Sequence, residues 1–211
     1  GNGFFDVTTG SGVNTRAAGQ NFVRSEGSGY FGYYGRYAHN PFAVVLSHGV
    51  DPVNVNSPIN VSYGASGGKS FDFESGARLS LFATASFEND YEYRKGRVVD
   101  FSTIFNKIFP EAEEFSYSTT TTAMLNASFK INSNNKLQFN SMFINSSTDE
   151  VGYYGIGGNG FNRDAQSLVN DEIGFYQQNI QFNQDLIYVN QLLGTHEFDN
   201  LELDWAIGYN R

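Results

Sequence analysis

Leu201-Glu202-Leu203-Asp204-Trp205-Ala206-Ile207-Gly208-Tyr209-Asn210 decides the fold class. Leu201, Leu203, Trp205, Ile207 and Tyr209 take every second position, with Glu202, Asp204, Ala206, Gly208 and Asn210 between them. Side chains alternate across a strand, so this stretch has one apolar and one polar face. A helix would scatter the same apolar residues around its circumference.

Working backward, the same period recurs. Ile180, Phe182, Leu186 and Tyr188 oppose Gln181, Asn183 and Asp185. Leu137, Phe139 and Phe143 oppose Gln138 and Asn140, although Ser141 and Asn145 fall on the apolar side and Met142 and Ile144 on the polar one. Ala123, Leu125, Ala127, Phe129 and Ile131 oppose Thr122, Asn126, Ser128 and Lys130. Leu79, Leu81, Ala83, Ala85 and Phe87 alternate within 78–88, and Ile59-Asn60-Val61-Ser62-Tyr63 alternates further upstream. The charged residues of these spans (Arg78, Glu88, Lys130, Asp185, Glu202 and Asp204) all take the polar face.

Composition agrees. Phe (20) and Tyr (13) supply nearly all of the aromatics and Gly numbers 23, a mixture that favours strands and turns over helices. The net charge of −9 argues against nucleic acid as a partner. Cysteine is absent, which excludes disulfides, thiolate metal sites and thiol catalysis. No run approaches the ~18 apolar residues of a membrane helix. The chain opens on Gly1 without an initiator Met, so a processed chain or part of a longer one is expected.

Alternation also occurs in soluble sandwiches. Two features favour a membrane barrel. The spans run about 10–14 residues, against ~5–6 for ordinary strands and ~9–11 for a tilted strand crossing a bilayer. The connections also alternate in length: 67–76, 132–135 and 191–200 are short, and 89–116 and 149–172 are long. Outer-membrane barrels have short periplasmic turns and long external loops. The expected fold is therefore all-β, an antiparallel transmembrane β-barrel segment with long extracellular loops and short periplasmic turns. Leu79, Leu81, Leu125, Phe129, Phe139, Leu203, Trp205 and Ile207 are expected to face lipid. Residues 1–57 are expected to be an irregular Gly- and aromatic-rich loop region with a strand candidate near 42–48, and 58–211 a partial barrel whose outer strands do not pair with each other.

Gln191-Leu192-Leu193-Gly194-Thr195-His196-Glu197-Phe198, followed by Leu203-Asp204-Trp205 and Gly208-Tyr209, resembles a passage in the barrels of TonB-dependent receptors. Pro58 through Gly64, Gly68 through Asn89, and Lys136-Leu137-Gln138-Phe139-Asn140 fit the same resemblance. Its flavour is that of Bacteroidota receptors, including the SusC-like group, and it covers about residues 43–211. It implies a bacterial outer-membrane transporter, present here as a central piece of the barrel, that imports a nutrient without chemistry on it and without a cofactor. It further implies outer-membrane lipid, the TonB system acting through a plug region, and a surface lipoprotein or other envelope subunits as partners. The alternatives are a barrel scaffold within an envelope complex, and a secreted β-rich adhesin or carbohydrate-binding module.

No catalytic residue and no metal site is expected. His39, His48 and His196 lack metal-pair spacing, and neither a nucleophile elbow nor a phosphate loop occurs. Gly157-Gly158-Asn159-Gly160-Phe161-Asn162-Arg163-Asp164 appears once, without the tandem copies a calcium repeat needs. The long loops 89–116 and 149–172 hold Tyr91, Tyr93, Arg94, Tyr153, Tyr154, Phe161, Asn162 and Arg163, aromatics with polar partners that suit an extended ligand such as a glycan or peptide; of these, Tyr153, Tyr154, Phe161, Asn162 and Arg163 are the candidates. Packing of loops onto one another accounts for them equally well.

Overall fold

The computed structural model describes residues 3–35, 50–101, 105–162 and 174–211. The alternating spans are strands of one antiparallel sheet. They are β1 (Phe4–Gly12), β4 (Asn60–Asp72), β5 (Arg78–Phe101), β6 (Phe105–Lys130), β7 (Asn135–Tyr154), β9 (Gln177–Phe198) and β10 (Leu201–Asn210), in the spatial order β1-β4-β5-β6-β7-β9-β10. Two-residue β8 (Phe161–Asn162) pairs with β6. A separate pair, β2 (Val23–Arg24) with β3 (Val53–Asn54), and one helical turn, α1 (Thr15–Ala18), lie in the long β1–β4 connection.

The register puts Leu79, Phe129, Leu137, Gly194 and Trp205 on one rung, and Leu81, Ala127, Phe139, Leu192 and Ile207 on the next. All eight residues expected to face lipid therefore share one face, the A face. Among the described residues no second sheet covers them. Leu125 is 41 % exposed, Leu203 48 % and Ile207 65 %. The opposite face, B, carries Ser80, Thr84, Ser128, Asn126 and Asn140, tied by hydrogen bonds such as Asn126 to Asn140. Lys69 departs from the clean partition. It lies in β4 opposite Leu81, on the A face, with its ammonium 5.0 Å from the Phe71 ring centroid toward the turn end. A long stem can hold its charge at such an edge while covering apolar surface.

The turns 73–77, 131–134 and 199–200 lie at one end, and the connections from β1, β5 and β7 lie at the other. The connections from β1 and β7 are long, but the expected long loop 89–116 is not found, because β5 and β6 run on until only residues 102–104 separate them. Asn132 builds its turn by accepting from the Asn134 amide (3.0 Å) and the Asn135 side chain (2.9 Å). Asp199, at φ 32°, permits the two-residue β9–β10 turn.

Several boundaries differ from expectation. Residues 67–76 and 191–200 are mostly strand. Gly67 and Gly68 pair with Phe5 and Phe4, while Gly194 gives its missing side-chain space to the Trp205 indole, beside which His196 stacks (6.3 Å). Thus His196 lies in a strand, not a turn. Residues 89–101 and 105–116 continue β5 and β6, which have 24 and 26 residues, well beyond the span length expected. Residues 149–154 complete β7. The irregular region 1–57 contains β1, whose Phe4-Phe5-Asp6-Val7-Thr8-Thr9 suits an edge strand paired on one side to β4. The strand candidate near 42–48 lies outside the described residues. Edge strands β1 and β10 do not pair with each other among the described residues.

The sheet thus has two storeys. In the lower one the A face is apolar and open. In the upper one the same face is covered by residues 17–34, and the core lies between them. Phe22, fully buried, meets Tyr91 (5.1 Å) and Phe115 (5.3 Å) edge to face. Arg24 lies 3.8 Å over the Tyr117 ring, and its Nε faces Asp149 Oδ2 at 3.4 Å. Asp149 also accepts from the Ser25 hydroxyl (2.6 Å) and amide (3.2 Å). Gly32 crosses β6 and β7 so closely that a Cβ there would overlap the Thr119 and Ser147 hydroxyls, and its φ of +76° suits glycine alone.

Candidate functional site

On the upper storey the B face carries charge. Even-numbered residues of β5 point to this face, so Glu88, Asp90, Glu92 and Arg94 form a column along one strand. Cross-strand register sets Ser116 and Glu150 beside Glu92, and Glu114 beside Arg94. Gln181 of β9 follows Glu150. A cleft of about 160 Å³ opens here, lined by Glu92, Arg94, Glu114, Glu150, Tyr154 and Gln181 among others.

The cleft is internally tied. Arg94 donates from Nε (2.9 Å) and Nη2 (3.0 Å) to the two Glu92 oxygens, a two-pronged pair at positions i and i+2 of one face. The Tyr154 hydroxyl donates to Glu114 Oε1 at 2.8 Å. Burial, then that hydrogen bond and the nearby Glu114 and Glu150 charges, push the Tyr154 phenol up to about 12. Three carboxylates against one guanidinium leave the cleft with negative potential, which attracts cations and hydroxyl-rich ligands and repels anions. No group of three metal-ligating side chains occurs among the described residues.

The ligand candidates drawn from the sequence separate in space. Tyr154 lines the cleft. Tyr153 points to the A face, where it packs at 6.1 Å from Phe115. Phe161 pairs with Ile108 at the far tip of β6, and the Asn162 backbone pairs there with Lys107. Arg163 lies outside the described residues. Sequence reasoning named Arg94 among the long-loop residues and missed Glu92, Glu114 and Glu150. The signal was the column Glu88-x-Asp90-x-Glu92-x-Arg94, a period of two that continues the β5 strand through what reads as loop composition.

A second polar cluster, Arg24, Ser25, Asp149, Thr119 and Ser147, is buried on the opposite face and satisfied by its own hydrogen bonds. It is structural, holding the crossing segment against β6 and β7. Compared with known proteins, the chain matches no family model, no curated protein and no solved structure.

Proposed function

We propose that this chain is part of the transmembrane barrel of an outer-membrane, TonB-dependent nutrient receptor. The observation that carries the reading is the open A face of the lower storey. Apolar side chains stand exposed there on β5, β6, β9 and β10, including Leu81, Leu125, Leu192 and Ile207, with half-buried Leu137, Phe139 and Phe143 of β7 between them. Soluble monomers rarely expose contiguous apolar surface beyond a few hundred Å². β10, ten residues long, matches the ~9–11 residues of a tilted bilayer-crossing strand. The B face then borders a polar lumen, and its acidic upper cleft faces incoming ligand. The receptor part of the reading rests on the resemblance of residues 191–209 and on this polar wall; transport needs no catalytic group. The unpaired outer edges of β1 and β10 would meet further strands, since lipid offers backbone groups no partner.

The test has two arms. Cell fractionation places the protein in the outer membrane, resistant to urea and carbonate washing. Uptake of oligosaccharides and peptides by cells lacking the gene is then compared with wild type, with and without a protonophore. Loss of one nutrient's uptake, mimicked by the protonophore, supports the receptor. A soluble, secreted protein overturns the barrel. An outer-membrane protein whose loss leaves all uptake unchanged overturns the receptor and favours the scaffold.

A further inference from the structure

The segment that crosses the upper storey descends the A face and stops at a defined height. Phe22 lies at the level of Tyr91 and Phe115. Gly32 is lower, at the rung of Thr119 and Ser147. Tyr30 and Phe31 are lowest, at 5.7 and 5.1 Å from Phe87, the last apolar residue of the β5 band. Two hydrogen bonds hold them there: the Tyr117 hydroxyl, above, donates to the Tyr30 carbonyl (2.6 Å), and the Asn145 amide, on the rung of Phe87, donates to that of Phe31 (3.5 Å). Among the described residues nothing covers the face below Phe87, and the alanines and leucines of the band begin.

The lowest part of the segment is nonetheless not a closed core. Tyr30, Phe31 and Tyr33 are 41, 58 and 44 % exposed, and no charged residue occurs from Gly27 to Gly35. Exposed aromatics with hydroxyl ends, uncharged and glycine-flanked, suit a zone apolar on one side and wet on the other. Phe31 and Tyr63 (52 % exposed) continue the apolar band upward along β4 and β5, while Thr121 and Asn145 occupy the same rung in β6 and β7. Buried charge above (Arg24 with Asp149) keeps the segment from sliding.

We propose that residues 27–35 are an interfacial anchor: a loop folded back on the outside of the sheet, whose exposed Tyr30, Phe31 and Tyr33 side chains lie in the headgroup boundary of the outer leaflet and set the height of the lower storey in the bilayer. The partner is the lipid surface. This rests on the barrel reading, and the test separates the two.

The chain has no cysteine, so single nitroxide labels can be attached at Phe31→Cys, Leu125→Cys and Lys95→Cys, with Tyr33→Cys as a second position should loss of Phe31 disturb its packing on Phe87. All four side chains are on the same side of the sheet and exposed. The whole protein is reconstituted into vesicles of phosphatidylethanolamine and phosphatidylglycerol, and collision with oxygen is compared with collision with a water-soluble nickel chelate. The Leu125→Cys label should favour oxygen several-fold, the Lys95→Cys label should favour nickel, and the Phe31→Cys and Tyr33→Cys labels should fall between them. If the labels at 31 and 33 match Lys95→Cys while Leu125→Cys stays lipid-like, the anchor is refuted and the barrel stands. If Leu125→Cys is as open to nickel as Lys95→Cys, both readings fall.

Discussion

Removing the Asp149 carboxylate should release the segment that crosses the upper storey. In Asp149→Ala, the Ser25 hydroxyl and amide lose their acceptor and Arg24 loses its carboxylate, with the pair's side chains 8 and 1 % exposed. Breaking one side of a buried ion pair costs about 3–5 kcal/mol. The lower end applies here, for two reasons. The Nε–Oδ2 separation of 3.4 Å exceeds the ~2.7–2.9 Å of a strong charge-assisted bond. Arg24 also keeps the Ser28 carbonyl (3.1 Å) and hydroxyl (2.6 Å), the Gly29 carbonyl (3.0 Å) and the Tyr117 ring. About 3 kcal/mol corresponds to a population of the released segment roughly a hundredfold higher. Trypsin reads this directly, because Arg24 is a buried cleavage site and Arg78, exposed beside the 73–77 turn, is a control away from the segment. Where opening is fast relative to cleavage, the rate follows the open population. Cutting after Arg24 should therefore rise about a hundredfold, while cutting after Arg78 stays level. An unchanged ratio of the two rates would falsify the claim that the buried pair fastens the segment.

Phe22→Ala empties the centre of the same core and should cost about 3–5 kcal/mol, seen as faster amide exchange across residues 22–32 with the lower strands unaffected. Gly32→Val, at φ +76° against Thr119 and Ser147, should loosen the segment without any change of charge, by the same exchange measurement. Leu125→Arg in the apolar band should cost about 2–4 kcal/mol of stability in bilayers, against little for Thr84→Arg on the polar face; equal costs in equilibrium unfolding from vesicles would contradict the assignment of faces. The Tyr154 phenol, raised from its ordinary value of 10.0 to about 12 by burial and then by Glu114, favours the folded state fully below pH 10. That contribution is lost as pH rises from 10 toward 12, and Glu114→Gln should bring the ultraviolet titration midpoint down, though not fully, since burial remains.

The lower storey was legible because its apolar residues see one environment along the whole strand. Leu79 to Phe87 and Leu201 to Tyr209 alternate so regularly that the faces follow at once. The upper storey was not legible as strand. There the A face holds Asn89, Tyr91, Thr119, Ser147 and Asp149, whose burial depends on a segment distant in the chain. A polar side chain on that face reads as loop until its partner is known, and no local pattern links Ser25 to Asp149. The cleft on the B face was hidden for the same reason: once 89–116 reads as loop, the parity that aligns Glu92 with Glu150 is lost. The divergence of Tyr153 and Tyr154 to opposite faces follows from strand geometry alone, once β7 extends to residue 154.

β6 and β7 run unbroken through both storeys, so Tyr117 pairs with Asp149 and Ala127 with Phe139 in one continuous register. Slippage by a single residue would turn Asp149 away from Ser25 and, many ångströms below, turn Phe139 into the polar face. The lower storey alone gives a weaker criterion, because Met142 and Ile144 on its polar face, and Ser141 on its apolar one, blur the distinction. The crossing segment therefore works as a gauge block: the side chains clamped at one end of two long strands set the alignment of the other end, where the sequence itself is ambiguous.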